Sequence, residues 1–500
     1  MIVTVVSEKT LTPAPPDGGT IELSPYDHLS RGRSTPMLWF YEHSLEPSEL
    51  VKALETVLSN HYALLCGRYS SPQPPTAIQL NNAGVPVRIC TVDAPLSEAI
   101  AHVHQGDEAA PRVFERNAHD SLVPPKAGMD PDRASSEAPL LSVQITTFAS
   151  GGTAIGLLLQ HGVGDADAEI GFVRSWARAY RGLEIDPAPT HDRCVVNTRS
   201  TEGSGFTGGT PGGNFKVKVV PPGETNVPEF VGVLPKLGGS QCVVVPFGKT
   251  ALKRIKEAAS AGLSDGKFVS TDDVLVARVW RALVAVRCSQ LSLSVESDEI
   301  STCSRACNFR RRTEPPLGDG YFANGVTQVW TEASVRELLC SSVQEVALRL
   351  RADLQAFTPP MVAARARWCV QTTAGGCSLA PIFDEHALTF IISSWMFDWE
   401  GADFEGRPIA FDHTARTRPS SPSSCRAPAA TASTCTPRAR RSRSRGLPSS
   451  CVRMVETMFL GPGLIVALRC RGGREVRGVC GCGLGWAGGE TELVLVTHRR

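Results

Sequence analysis

The stretch Ala154-Ile155-Gly156-Leu157-Leu158-Leu159-Gln160-His161-Gly162-Val163-Gly164-Asp165 decides how this chain is read. Its apolar part, 154–160, has the length and bulk of a buried strand. The next segment, Ala166–Tyr180, puts Ile170, Val173, Trp176, Ala177 and Tyr180 on one helical face, and Gly182 can close it. Between strand and helix, a glycine-containing turn can hold the His161 ring toward a cleft. An imidazole titrates near pH 6.5, so it can take up a proton at neutrality. For this segment alone, a satisfied core histidine at a strand end is the competing reading.

Outward from this point the pattern alternates strands and helices. Residues 140–148 and 153–160 form two strand-like runs joined by Ala149-Ser150-Gly151-Gly152. Upstream, 46–60 reads as a helix, with Pro47 in its first turn and Leu50, Val51, Leu54, Val57 and Leu58 along one face. Downstream, the glycine-rich stretch 201–214 reads as a flexible linker between two halves. In the second half, Ser270 and Asp273 give a Ser-x-x-Asp helix start before 274–286. Residues 331–357 form one long helical pattern, and 388–394 a strand. This alternation predicts an α/β or α+β protein with mixed sheets, and a substrate cleft between two such halves.

Composition narrows the function classes. Five hundred residues suggest two or three domains. No apolar run approaches the roughly 20 residues of a membrane span. Met1–Thr10 carries Glu8 and Lys9 too early for a signal peptide, so the cytoplasm is the expected location. Of the 16 cysteines, the first ten are scattered without metal-ligand spacing, and buried free thiols are favoured over disulfides. Cys303 and Cys307 lie four apart, but no second pair supports a zinc site, and no metal is expected.

The net charge of +1 hides an asymmetry. Residues 414–500 hold fifteen Arg and four Glu, a balance of +11, which leaves the body at −10. An acidic body gives no reason to expect nucleic acid. The same C-terminal segment has no Lys, Asp, Asn, Gln or Tyr, and it contains the run Arg438-Ala439-Arg440-Arg441-Ser442-Arg443-Ser444-Arg445. A disordered basic arm that binds RNA, a structured extension and an out-of-frame translation of a GC-rich gene compete. The third is favoured.

Eight segments in order carry a resemblance. They are Leu23-Ser24-Pro25-Tyr26-Asp27; Cys66-Gly67-Arg68-Tyr69; Asn82-Ala83-Gly84-Val85; and His161 to Asp165, followed by Trp176-Ala177 and Arg181-Gly182. Then come Ser270 to Asp273 with Trp280-Arg281-Ala282; Asn308 to Arg312 with Pro315-Pro316 and Gly320 to Asn324; Ser394-Trp395; and Asp403 to Pro408. Together, over most of 20–413, they resemble the BAHD acyltransferases, acyl-CoA-dependent enzymes carrying HxxxD and DFGWG motifs. Ala166 stands where that family has Gly after the Asp, Asn308 where it has Asp, and Glu405 where it has Gly.

The resemblance implies two similar chloramphenicol-acetyltransferase-like lobes with mixed β-sheets flanked by helices and the active site at their interface. The expected boundaries are 1–195 for the first lobe, 196–225 for the crossover, 226–413 for the second lobe and 414–500 for a disordered or out-of-frame tail. It implies an O-acyltransferase of specialised metabolism, which moves an acyl group, other than an amino-acyl group, from acyl-CoA to a hydroxyl of a small-molecule acceptor, with an amine as the second possible acceptor. His161 would be the general base, with no covalent intermediate. Acyl-CoA would be a co-substrate, no cofactor would stay bound, and a monomer without membrane or nucleic-acid partners is expected. A binding or accessory protein on the same fold is the alternative, and a carrier-protein-dependent condensation domain ranks lower.

For individual residues, Asp165 needs no role beyond capping its helix; the resemblance makes it a site-shaping group paired with Arg310. Trp395 and Ser394 are oxyanion or acyl-side candidates, with core packing the competing reading. Asp403, Gly406 and Pro408 form a structural motif. Asn324 and Gly325 read as turn residues. Arg310, Arg311 and Arg312 could attract CoA phosphates, but a solvated basic face with one internal pair is favoured.

Overall fold

The structure, a computed structural model, describes residues 1–13, 18–30, 34–70, 75–101, 112–114, 119–125, 129–130, 133–134, 137–199, 217–221, 240–374, 377–381, 388–413, 465–471 and 490–498. Two large mixed sheets organise it. In chain order their strands are β1 Val3–Leu11, β2 Ser34–Tyr41, β3 Val85–Val92, β4 Arg112–Phe114, β5 Leu141–Phe148, β6 Thr153–Gln160, β7 Ser240–Phe247, β8 Ile300–Asn308, β9 Val326–Ser334, β10 Thr389–Trp395, β11 Ala410–His413, β12 Ile465–Arg471 and β13 Glu490–His498. The first sheet runs β1-β3-β5-β6-β2-β11 and the second β9-β8-β10-β12-β13-β7-β4. Only β5 on β3, β8 on β10 and β10 on β12 are parallel in these sheets.

The helices that matter for the site are α1 Pro47–Asn60, α2 Ala166–Tyr180, α3 Thr271–Leu291 and α4 Val343–Ala356. In α1 and α2 the apolar residues recur at helical spacing, and both helices bury that face in the first core with Ile145, Ile155 and Leu157. Full burial of one such side chain is worth about 1.5–3 kcal/mol. Trp176, fully buried on α2, also donates its indole N–H to the Leu50 carbonyl of α1 at 2.9 Å, so the polar end of the ring is satisfied. A second core forms around Val274, Trp280 and Leu283 of α3, Leu350 of α4 and Phe390 of β10.

The two halves of the sequence do not stay apart. Strand β11, from the second half, pairs with β2 of the first sheet, and β4, from the first half, pairs with β7 of the second. Trp395, Trp399, Phe404 and Phe411 join the first core. A boundary drawn in the sequence therefore separates most strands but not all. The glycine-rich linker 201–214 lies outside the described residues.

One sequence expectation needs correction. Residues 331–357 are not one helix: Thr331–Ser334 ends β9, and helices Val335–Cys340 and Val343–Ala356 follow. The break has a local cause. Ser334 with Glu337, and Ser342 with Glu345, each form a reciprocal capping box, so the chain restarts a helix twice, with extended backbone at Ser341. In the segment 414–500, expected as a disordered or out-of-frame tail, two strands are described. Ile465–Arg471 and Glu490–His498 are strands that pair with each other, one with β10 and the other with β7. Both are apolar and β-branched enough to extend a sheet, whatever the composition around them. The rest of 414–500 lies outside the described residues. No described helix is long and apolar enough to cross a membrane.

Candidate active site

All eight residues of β6 are buried, so the chain must leave the sheet at its end. It does so through a turn closed by the Val163 N–H on the Gln160 carbonyl at 2.8 Å. His161 opens the turn, half-buried, and Asp165 ends it as the N-cap of α2. The Asp165 backbone is extended there, and Oδ1 accepts from the Ala168 N–H at 3.1 Å.

Asp165 is also one half of a buried ion pair. Arg310 Nη1 lies 2.8 Å from Oδ2 and Nη2 lies 2.9 Å from Oδ1, a two-pronged contact. The Gly325 N–H gives Oδ2 a further bond at 2.8 Å. A carboxylate offers about four acceptor positions, and four donors fill them here. Asp165 thus has no lone pair left to orient an imidazole. Burial pushes its carboxyl pKa up, but the Arg310 guanidinium and the Ala168 and Gly325 N–H groups outweigh burial and hold it below the usual value. Gly325 is needed at its position: a Cβ there would meet Arg310 Nη1 at 2.4 Å.

Two more contacts fix the backbone of the turn, and Asp27 ties their donors together. Asn324 donates its side-chain amide to the His161 carbonyl and to Asp27 Oδ1, both at 2.8 Å. Asp27 Oδ2 accepts from Arg193 Nη1 at 2.7 Å, and Arg193 Nη2 reaches the Val163 carbonyl at 2.6 Å. Asp27, Arg193 and Asn324 are almost fully buried. So the turn is gripped at 161, 163 and 165 by residues from three distant segments. The sequence reading of Asn324 as a mere turn residue is corrected: its side chain bridges two segments. Arg193 had no motif to mark it. The available signal was charge accounting, since a buried Asp27 requires a buried cation.

Strand alternation separates two candidates that are adjacent in sequence. Trp395 faces the first core, with its ring 3.8 Å from the His413 ring and 5.9 Å from that of Phe397, centroid to centroid. Ser394 points the other way and donates its hydroxyl to Asp272 at the start of α3. Asp272 also accepts from Arg305 Nη2 at 2.6 Å. Ser394 therefore does not share Trp395's face.

The Asp403 segment sits on the first lobe. Asp403 Oδ2 is 3.2 Å from Arg181 Nη1, just beyond α2, and Oδ1 accepts from the Gly406 N–H at 2.8 Å. Tyr41 donates its hydroxyl to the Ala402 carbonyl at 2.8 Å, and Pro408 is buried. Glu405 has φ +60°, a left-handed conformation that glycine adopts more readily. Arg311 is exposed and Arg312 donates to the Leu354 and Phe357 carbonyls at 3.0 Å, so the three arginines do not form one basic face. Cys303 and Cys307 are free thiols, and no group of three or more metal-binding side chains occurs among the described residues.

Two mixed sheets that exchange edge strands, with a histidine turn braced between them, define a two-lobe acyltransferase fold. The profile of the Transferase family matches residues 1–413, and the chain belongs to that family, the BAHD acyltransferases, which use acyl-CoA. It is 28% identical to agmatine hydroxycinnamoyltransferase 1 of Oryza sativa subsp. japonica, over 69% of this chain and 73% of that one. Among solved structures it is similar to F. graminearum TRI101 complexed with ethyl coenzyme A, with TM-score 0.66, 16% identity and coverage of 96% and 95%. Vinorine synthase is similar with TM-score 0.58, 21% identity and coverage of 82% and 88%.

Proposed function

We propose that the chain moves an acyl group from acyl-CoA to a hydroxyl or amine of a small acceptor, with His161 as the general base. His161 takes the proton from the acceptor as its oxygen or nitrogen attacks the thioester carbon. The tetrahedral intermediate then collapses, the C–S bond breaks, and the imidazolium returns the proton to the CoA thiolate. One proton moves twice and no enzyme nucleophile is consumed, so no covalent intermediate is needed. General base catalysis of this kind contributes about 10²–10⁴-fold.

The observation that carries this reading is the occupancy of Asp165. With four donors on its carboxylate, it cannot act as the third member of a hydrolase-like triad, and it supports the turn instead. Asp165 and Arg310 are positioning residues. Trp395 is assigned to the acyl side, where an indole N–H can stabilise the oxyanion. Ser394 is assigned to holding β10 through Asp272. Asp403, Gly406 and Pro408 brace the first lobe. Both an amine and an alcohol remain open as acceptors, because a relative is named for agmatine.

The test is thiol release from a panel of acyl-CoAs with alcohol and amine acceptors. His161→Ala should lower kcat about a thousandfold while the melting temperature stays put. Undiminished turnover in that variant would sink the mechanism. Binding of acyl-CoA without thiol release by the unaltered chain would leave a binding protein instead.

A further inference from the structure

We propose that His413 is a positioning residue that sets the plane of the Trp395 indole from across the lobe boundary. The inference rests on the acyl-side reading of Trp395. It starts from the alternation of β11. Ala410 faces a core with Leu38, Phe40, Ala99 and Leu122, while Phe411 faces the other core with Trp39 and Trp399. Asp412 shares the first of these faces and His413 the second.

The register of β11 is then locked on the Asp412 side. His119, 1% exposed, sets Nδ1 at 2.5 Å from Asp412 Oδ2 and Nε2 at 2.8 Å from the Ala99 carbonyl. Both ring nitrogens face oxygen acceptors, so the ring bridges β11 to the segment around Ala99. A one-residue slip of β11 would take Asp412 away from His119 and turn it into the other core, beside Trp39 and Trp399, and is disfavoured. His413 therefore stays opposite Met37 of β2, at the end of the strand.

From there its ring lies 3.8 Å from that of Trp395, at an interplanar angle of 39°. Phe397 meets the indole edge-on, at 5.9 Å and 87°. Trp395 is 8% exposed, so rotation of its ring must push against these two neighbours. Phe397 follows Trp395 on the same chain segment. His413 alone of the two comes from a strand of the other sheet. On the far face of β10, the Ser394–Asp272 bond fixes the backbone that carries the indole. The indole is thus held by its own lobe beneath and by the other lobe at its face. Without His413 the ring gains room, and a misplaced oxyanion donor weakens the transition state more than the ground state.

The experiment uses the full chain and four variants: His413→Ala, His413→Phe, Trp395→Ala and the double variant His413→Ala/Trp395→Ala. For each, kcat, the KM values for acyl-CoA and acceptor, and the melting temperature are measured. His413→Ala should lower kcat about tenfold, with both KM values changed less than about twofold. His413→Phe, which keeps a flat ring at the same place, should recover most of kcat. The double variant should be no slower than Trp395→Ala, since the histidine acts only through the indole. Wild-type kcat in His413→Ala, beside an impaired Trp395→Ala, would overturn this proposal and leave the acyl-side reading intact. Additive losses, or no rescue by Phe, would also overturn it. Full activity in Trp395→Ala would overturn both readings together.

Discussion

At the scale of single residues, Asp165 and Glu169 show how one helix treats two carboxyls differently. Asp165 caps α2 and is held charged by Arg310. Removing one partner of such a buried pair leaves an uncompensated charge and costs about 3–5 kcal/mol. Arg310→Met should therefore lower the melting temperature sharply and take activity with it. The pH dependence follows from the lowered Asp165 pKa. A carboxyl held below its unfolded value contributes stability above that value, near 4, and the contribution is lost as pH falls through the folded pKa. Acid unfolding of the wild-type chain should thus be steeper than that of an Asp165→Asn variant.

Glu169, four residues on, is 1% exposed, and neither carboxylate oxygen has a hydrogen-bond partner among the described residues. Burial pushes its pKa well above the usual value. The sign is opposite: stability is greatest below the unfolded pKa and falls as pH rises toward the folded one. Glu169→Gln should raise the melting temperature at pH 8 and change it little at pH 4. A lower melting temperature for Glu169→Gln at pH 8 would show that the charged form has a partner. Of these features, the sequence displayed the Asp165 cap. Arg310 was reached only through motif position, and Glu169 gave no sign at all, because nothing in its spacing says that its turn of the helix is covered on every side.

At the scale of elements, strand β6 was legible from its unbroken apolar run and helix α2 from the helical spacing of its apolar residues, since β6 is buried at every residue and α2 buries the face that carries Ile170, Val173, Trp176 and Ala177. The break in 331–357 was hidden because apolar spacing continued through Ser341-Ser342, and only the capping boxes reveal two helix starts. The segment around Asp403 offers a test at this scale. Glu405 holds a left-handed backbone that costs a side-chain-bearing residue about 1–2 kcal/mol. Glu405 is exposed and carries no packing role. Glu405→Gly should raise the melting temperature by a few degrees, read by calorimetry, with activity unchanged.

At the scale of the whole molecule, the two sheets trade strands. Strand β11 closes the first sheet and β12 and β13 fill the middle of the second. A chain ending at residue 413 would keep His161, Asp165, Arg310 and Trp395 yet lose β12 and β13. That would leave β10 and β7 with open edges, and exposed edges invite aggregation. Soluble yield and size-exclusion profile check this: the shortened chain should be insoluble or aggregated. A shortened chain that stayed monomeric and active would show that β12 and β13 are dispensable.

The sequence by itself determined the ordered motifs, the strand–turn–helix around His161 and the mixed α/β class, because these rest on local spacing. Only the tertiary structure decided that Asn324 and Arg193 grip the turn, that Ser394 turns away from Trp395, and that β11 crosses to the other sheet. Those facts depend on pairings between residues from 30 to several hundred positions apart, and a strand's edge or a buried carboxylate carries no mark of its partner until the chain has folded around it.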